Sequence, residues 1–145
     1  MAIRLDTPEI EYRAQVPDPV AFVGLFETTG WDPQGRLTVE AAAEALGHTW
    51  YAASAYDGAR LVGTGRIIGD GVLHALLVDV IVDPAYRRRG IGSGIVERLV
   101  AECRAHRIFY TQLFCARGNR GFYERLGFAV RPEDAPGMQL VTGDA

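Results

Sequence analysis

Arg87-Arg88-Arg89-Gly90-Ile91-Gly92-Ser93-Gly94 places three guanidinium groups and three glycines where an apolar run gives way to a helical pattern. Guanidinium groups suit phosphate, because their planar fork offers paired N–H donors. Glycines let the backbone come close to a bulky anion and adopt dihedrals that cost other residues more. A helix start exposes unpaired N–H groups and carries partial positive charge. The combination is a ready site for a phosphate or pyrophosphate. A Gly-rich turn with a solvated basic edge is the plainer alternative. The order strand, loop, amphipathic helix favours the anion site.

Two familiar phosphate binders do not fit. A P-loop needs Gly-Lys-Ser/Thr, and all 15 basic residues of this chain are Arg. A dinucleotide fold wants an acidic residue about 20 positions on, at the end of the next strand. Here that region is Thr111-Gln112-Leu113-Phe114-Cys115, without an acid.

The elements around the loop follow from periodicity and turn chemistry. Ile10 to Ala14 reads as a short strand. Asp18-Pro19 reads as a helix cap with Pro in the first turn, the helix running to about Thr28 with Val20, Val23, Leu25 and Phe26 among its apolar residues. Thr38 is a second cap, before Val39 to Leu46. Thr49 to Tyr56, Arg60 to Ile68 and Val72 to Val82 are strands separated by Asp57-Gly58 and Asp70-Gly71, which are hairpin signals. From Ile91 the apolar residues Ile95, Val96, Leu99, Val100 and Cys103 recur at helical spacing. Ile108 to Cys115 reads as a buried strand, and strand, helix, strand makes a crossover with parallel strands. Arg117 to Leu126 is a short helix ended by Gly127. Phe128 to Arg131 and Met138 to Thr142 are expected to pair as final strands.

Composition sets the remaining bounds. A chain of 145 residues, 48% hydrophobic and 23% charged, is the size and make-up of one ordinary domain with a real core. A net charge of −3 gives no global pull toward nucleic acid or an anionic membrane. The absence of Lys excludes lysine-amine chemistry such as a Schiff base. Cys103 and Cys115 have neither metal spacing nor a disulfide framework, so a reduced, cytoplasmic setting and no metal are expected. No apolar run reaches the roughly 18 residues of a membrane span, and Met1 to Asp18 does not read as a signal peptide.

The loop and its surroundings resemble the GNAT N-acetyltransferase superfamily. That family's signature is Arg or Gln, two residues, Gly, one residue, then Gly or Ala, and Arg87 to Gly92 matches it without a gap. The preceding Val78-Asp79-Val80-Ile81-Val82-Asp83-Pro84 and the downstream Gly121-Phe122-Tyr123-Glu124-Arg125-Leu126-Gly127-Phe128 also look like the family's motifs. The resemblance implies one α/β domain over residues 1–145. Its sheet would be mixed and mostly antiparallel, with a parallel pair beside the cofactor site and helices on both faces. It implies acetyl-CoA as co-substrate and an amine as acceptor, while no residue of the chain itself suggests a metal, nucleic-acid or membrane partner. Homodimers are common in the family, and nothing in this sequence fixes that state.

The family's roles fall on particular residues here. The backbone of Val80, Ile81 and Val82 would pair with the pantetheine arm like an added strand. The N–H groups of Arg87, Arg88, Arg89, Gly90, Ile91, Gly92 and Ser93 would hold the pyrophosphate. Phe122 would wall the thiol end, and Tyr123 resembles the general acid. Many members carry Asn seven residues before that Tyr. Ala116 stands there in this chain, and Asn119 is the nearest Asn, one helical turn before Tyr123.

Amide formation needs a neutral amine, yet an alkyl amine with a pKa of about 10.4 is mostly protonated at neutral pH. A base or a water must take the proton. Asp79 interrupts an apolar strand, where a carboxylate is costly unless paired or solvated. It is a candidate base or amine anchor, and a salt bridge to Arg66 is an equal alternative. Strand alternation puts Asp79 and Ile81 opposite Val78, Val80 and Val82. His74 and Glu27 are weaker candidates. Phe26, Trp31, Trp50, Tyr51 and Tyr56 could wall an acceptor site or belong to the core. Asp32 could draw a cationic substrate or sit on a solvated surface.

The tail Arg131 to Met138 resembles that of a bacterial and plastid subgroup, some of whose members act on arylalkylamines or protein amines. A small-molecule amine is the leading acceptor class. A peptide or protein amine, or a non-catalytic acyl-CoA-binding module, are the alternatives.

Overall fold

The computed structural model describes residues 9–141, and both N-terminal helices start where side-chain caps place them. Asp18 Oδ2 accepts the Ala21 N–H at 3.1 Å, Pro19 fills the first turn, and helix α1 spans Pro19–Glu27. Thr38 Oγ1 accepts the Ala41 N–H at 3.1 Å at the start of α2, Val39–Gly47. Each cap satisfies a donor that the first helical turn leaves unpaired. The two helices share a small core of Phe22, Ala42 and Leu46, edged by Val23, Phe26 and Leu37. Val20 points outward instead, at 64% exposure, because the α1 face that meets α2 is the Phe22 face.

A five-stranded sheet runs in the order β1-β2-β3-β4-β5. Its strands are β1 Ile10–Arg13, β2 Tyr51–Asp57, β3 Arg60–Gly69, β4 His74–Val82 and β5 Tyr110–Leu113. The first three pairings are antiparallel and β4 with β5 is parallel. Both expected Asp-Gly turns form, with Gly58 at φ 59° and Gly71 at φ 79°. These left-handed angles suit glycine and let the hairpins close. Asp70 tightens the second turn by accepting the N–H groups of Val72, Leu73 and His74.

Helix α3, Ile91–Ala105, crosses from β4 to β5 and buries Ile91, Ile95, Val96, Leu99 and Cys103. It packs against Gly63 and Gly65 of β3. A Cβ on Gly65 would lie 2.7 Å from Ile95 Cγ2 and 3.1 Å from Leu99 Cδ1. Arg66, next along β3 and so on the other face, reaches Ala45 O in the last turn of α2. Helices therefore cover both faces of the sheet.

By chain contacts the protein falls into two units, Met1–Leu113 and Phe114–Ala145. The second contains α4, Arg120–Arg125, followed by Gly127 at φ 97°. The helix starts later than its periodicity suggests, because Gly118 takes φ 83° and Asn119 becomes the N-cap residue.

Three expectations need correction. β5 was expected as a buried strand over Ile108 to Cys115. It forms only over Tyr110–Leu113, at the end of the strand order, and Phe109 and Tyr110 are exposed. The final strands expected over Phe128 to Arg131 and Met138 to Thr142 do not form among the described residues, Thr142 lying outside them. A strand needs a ladder partner, and Pro132 and Pro136 bring no N–H to one. The segment instead turns, with Ala135 N–H donating to Pro132 O at 2.9 Å and Arg131 Nε to Ala135 O at 2.8 Å. Finally, simple alternation fails along β4, as described next.

Candidate active site

In β4 the register against β3 shifts, with Thr64 opposite Ile81 but Arg66 opposite Val78. Gly65 thus faces two residues, Asp79 and Val80, which is a β-bulge. Asp79 takes φ 54°, a left-handed angle ordinarily left to glycine. Directly paired residues point to the same side of a sheet. Val78 and Ile81 therefore share the face of Arg66 and Thr64. Val82 shares the Gly63 face, and Val80 Cγ2 lies near the Cβ position of Gly65. The extra residue moves Val78 to the side opposite the one that alternation gave it.

Asp79 is ion-paired. Arg66 Nε donates to its Oδ2 at 2.8 Å. Arg66 is 9% exposed and also donates through Nη1 to Ala45 O and Thr49 Oγ1, each at 3.2 Å. Three acceptors surround one buried cation, so its charge is paired and its Nε and Nη1 groups are engaged.

The ladder between β4 and β5 ends at Leu77 opposite Leu113. Val78 to Val82 continue β4 past that point without a strand partner on that side among the described residues. An edge of unpaired N–H and C=O groups is a template for an extended ligand.

The chain then makes a 3₁₀ turn, Pro84–Tyr86, capped by Asp83, whose Oδ1 accepts the Ala85 N–H at 2.9 Å. Tyr86 is buried, and its hydroxyl donates to Asp57 Oδ2. That bond, with burial, raises the Tyr86 pKa. Arg60 and Arg89 each place a guanidinium carbon 5.1 Å from the Tyr86 ring centroid. Arg60 also pairs with Asp83 at 2.9 Å. Arg89 is thereby packed on an aromatic ring, while Arg88 sits at φ 64° and Gly90 at φ 76°.

Gly90 is the N-cap residue of α3, and no side chain caps the helix. The Gly94 N–H bonds Gly90 O, so the preceding N–H groups of Ile91, Gly92 and Ser93 lack intrahelical partners. Gly94 itself serves packing, because a Cβ there would run into the Tyr12 hydroxyl. Residues 80 to 82 and 87 to 93 thus form one continuous path, from an open strand edge to an uncapped helix start.

In the second unit, Tyr123 is buried between Phe122 and Phe128, both edge-on, at centroid distances of 4.9 and 5.9 Å. Burial raises the Tyr123 pKa, and the negative charge of nearby Cys115, once ionised, raises it further. Asn119 lies one turn earlier, its carbonyl accepting the Tyr123 N–H at 3.2 Å.

The remaining candidates separate. Phe26 packs between Phe22 and Trp31, at 5.8 Å from each. Trp50 lies against Tyr51 and His106, and Tyr56 lies under the Arg13 guanidinium. They form three groups rather than one wall. Asp32 accepts the Arg36 and Leu37 N–H groups, which lower its pKa and give it a turn to hold. His74 stacks on Tyr110. Glu27 is the last residue of α1. Among the described residues no group of three or more His, Cys, Asp or Glu could hold a metal ion. No helix among them is long and apolar enough to cross a membrane.

Sequence reasoning missed the work of Gly63 and Gly65, although two glycines spaced by one inside a strand signal a close approach on one face. It also missed the Asp57–Tyr86 tie, for which no local signal exists.

Residues 13–128 match the profile of the acetyltransferase (GNAT) family. The chain belongs to that family. Serotonin N-acetyltransferase 2, chloroplastic, of Oryza sativa is 38% identical over 107 residues, covering 71% of this chain and 54% of that protein. GCN5-related N-acetyltransferase 1, chloroplastic, of Arabidopsis thaliana is 35% identical over 82 residues, covering 57% and 42%. The chain thus spans about half the length of these two relatives. A GNAT-family acetyltransferase from Streptococcus pneumoniae superposes with a TM-score of 0.79 at 28% identity, covering 94% of this chain and all of that one. The GNAT fold is therefore that of this chain, a mixed sheet with its parallel pair at β4 and β5.

Proposed function

We propose that this GNAT protein moves an acetyl group from acetyl-CoA to a primary amine, by direct attack through a tetrahedral intermediate. The observation that carries the reading is the path from the unpaired edge of β4 to the uncapped start of α3. Its chemistry fits the donor. An extended pantetheine arm offers amides that can pair with Val80 to Val82. A pyrophosphate can accept from the N–H groups around Gly90 to Ser93, with Arg87 and Arg88 adding charge. The family profile runs across both units, which supports one functional domain over residues 1–145.

The chain's own groups supply the rest. A backbone N–H of the β4 edge can stabilise the oxyanion as it forms. Tyr123 donates the proton to the departing thiolate, and its raised pKa keeps the phenol protonated through neutral pH. Phe122 lines the thiol end. Asn119 is retained as a pantetheine contact in place of the position held by Ala116. Since Asp79 is engaged by Arg66, ordered water is the better carrier of the amine proton.

A small-molecule amine is the favoured acceptor, supported by the likeness to a serotonin N-acetyltransferase. A peptide amine is the alternative. A cytoplasmic setting, suggested by cysteines without a disulfide framework, and a homodimer, common in the family, are part of the proposal and take no support from that likeness. A thiol-release screen with acetyl-CoA over arylalkylamines, polyamines, aminoglycosides and short peptides tests the reading. Turnover with small amines supports it, turnover with peptides alone supports the alternative, and donor binding without thiol release for any amine leaves a non-catalytic acyl-CoA-binding module.

A further inference from the structure

β4 bends at the very place where the donor is proposed to lie. The extra residue opposite Gly65 re-aims Val80 and Val82, and Asp79 holds a left-handed backbone angle of 54° to allow it. A non-glycine residue keeps such an angle only when its surroundings over-determine it. The bond from Arg66 Nε to Asp79 Oδ2 supplies that restraint from the neighbouring strand. The same guanidinium is fixed at its other end by Ala45 O and Thr49 Oγ1. A cation bonded to a carbonyl in the last turn of a helix is also favoured by the helix dipole. Arg66 therefore joins the end of α2, β3 and the bulge in β4 through one buried side chain.

We propose that Arg66 and Asp79 are positioning residues that lock the β4 bulge and so set the donor-binding edge. The inference rests on the acetyl-CoA reading above. It assigns to Asp79 a backbone task in place of a proton-accepting one, and it gives Arg66 a part in donor affinity although it belongs to neither the loop nor the β4 edge.

The test measures acetyl-CoA affinity by isothermal titration calorimetry, and kcat with its pH profile, for Asp79→Ala, Asp79→Gly, Asp79→Asn and Arg66→Lys. Circular dichroism checks that each variant folds. Asp79→Ala loses the ion pair and fits the angle poorly, so donor affinity falls by about tenfold or more. Asp79→Gly takes the angle without a side-chain clash and recovers part of that loss. Asp79→Asn tolerates the angle, keeps an oxygen for Arg66 Nε, and is the mildest of the three. Arg66→Lys weakens donor binding with residue 79 untouched. The ordering Asn, Gly, Ala is specific to a backbone lock, and the Gly and Asn variants still decide the matter if the Ala variant does not fold. If all three Asp79 variants abolish kcat equally, lose the acidic limb of the pH profile and keep wild-type donor affinity, Asp79 is a proton acceptor and the lock is refuted. Wild-type protein that shows no heat with acetyl-CoA overturns the donor reading, and the lock with it. Wild-type binding with an unaltered Asp79→Ala affinity overturns the lock alone.

Discussion

The Tyr86 hydroxyl donates to Asp57 Oδ2 at 2.5 Å, tying the turn that follows β4 to the last residue of β2. The ring so anchored carries Arg60 and Arg89. One arginine of the basic loop is thus held by the protein before any anion arrives. Pre-placed charge lowers the ordering cost of binding.

Tyr86→Phe keeps the ring beneath both guanidiniums and removes only the hydroxyl bond. The KM for acetyl-CoA is expected to rise several-fold, with kcat at saturation little changed. Tyr86→Ala also removes the platform and should raise KM further. Steady-state kinetics of the two variants check this, and equal KM values in both would show that the hydroxyl bond alone matters and the ring platform does not.

Gly65→Ala forces a Cβ against Ile95 Cγ2 at 2.7 Å, Leu99 Cδ1 at 3.1 Å and Val80 Cγ2 at 3.3 Å. Overpacking of this kind costs about 1–3 kcal/mol. Urea denaturation should show a lower midpoint at an unchanged slope. A wild-type midpoint would mean that α3 can move away from β3.

Tyr123→Phe should lower kcat by about 10²-fold or more while leaving donor affinity close to wild type. Because burial raises the Tyr123 pKa, the wild-type alkaline limb should lie above the ordinary tyrosine value of about 10. A pKa raised on folding also means stability that is present below the unfolded value and lost as pH rises through the folded one. Calorimetric melts at high pH should therefore show Tyr123→Phe losing less Tm than wild type.

Asp32 and Asp70 have lowered pKa values, in each case chiefly because backbone N–H groups bond the carboxylate. Their contribution is present above the unfolded value of about 3.9 and lost as pH falls through the depressed one. Thermal melts from pH 6 to pH 3 should show Asp32→Asn and Asp70→Asn less acid-sensitive than wild type. Parallel pH curves for variant and wild type would refute this.

The features legible in the sequence are those that neighbouring residues encode. Asp18 and Thr38 cap because their oxygens reach an N–H three residues on. Asp57-Gly58 and Asp70-Gly71 turn because glycine accepts a left-handed angle. The helix from Ile91 shows in its apolar period, and the glycine loop before it shows in its composition. What could not be read from the chain was which side β4 presents. Val78 faces with Ile81 only because one extra residue stands opposite Gly65, and the register of a neighbouring strand decides that.

The same division holds for the donor path itself. The sequence alone determined that three arginines and three glycines lead into a helix, because the order of residue types is itself the signal. Tertiary structure decided what each group does there. Arg89 rests on Tyr86, since Asp57, 29 residues earlier, fixes that ring. Gly94 makes room for Tyr12 of β1, and Asp79 is engaged by Arg66 across the sheet. The ties Asp57 to Tyr86, Tyr12 to Gly94 and Arg66 to Asp79 each join residues of different elements. Distance in space is set by strand pairing and helix packing, which no local pattern of residues specifies.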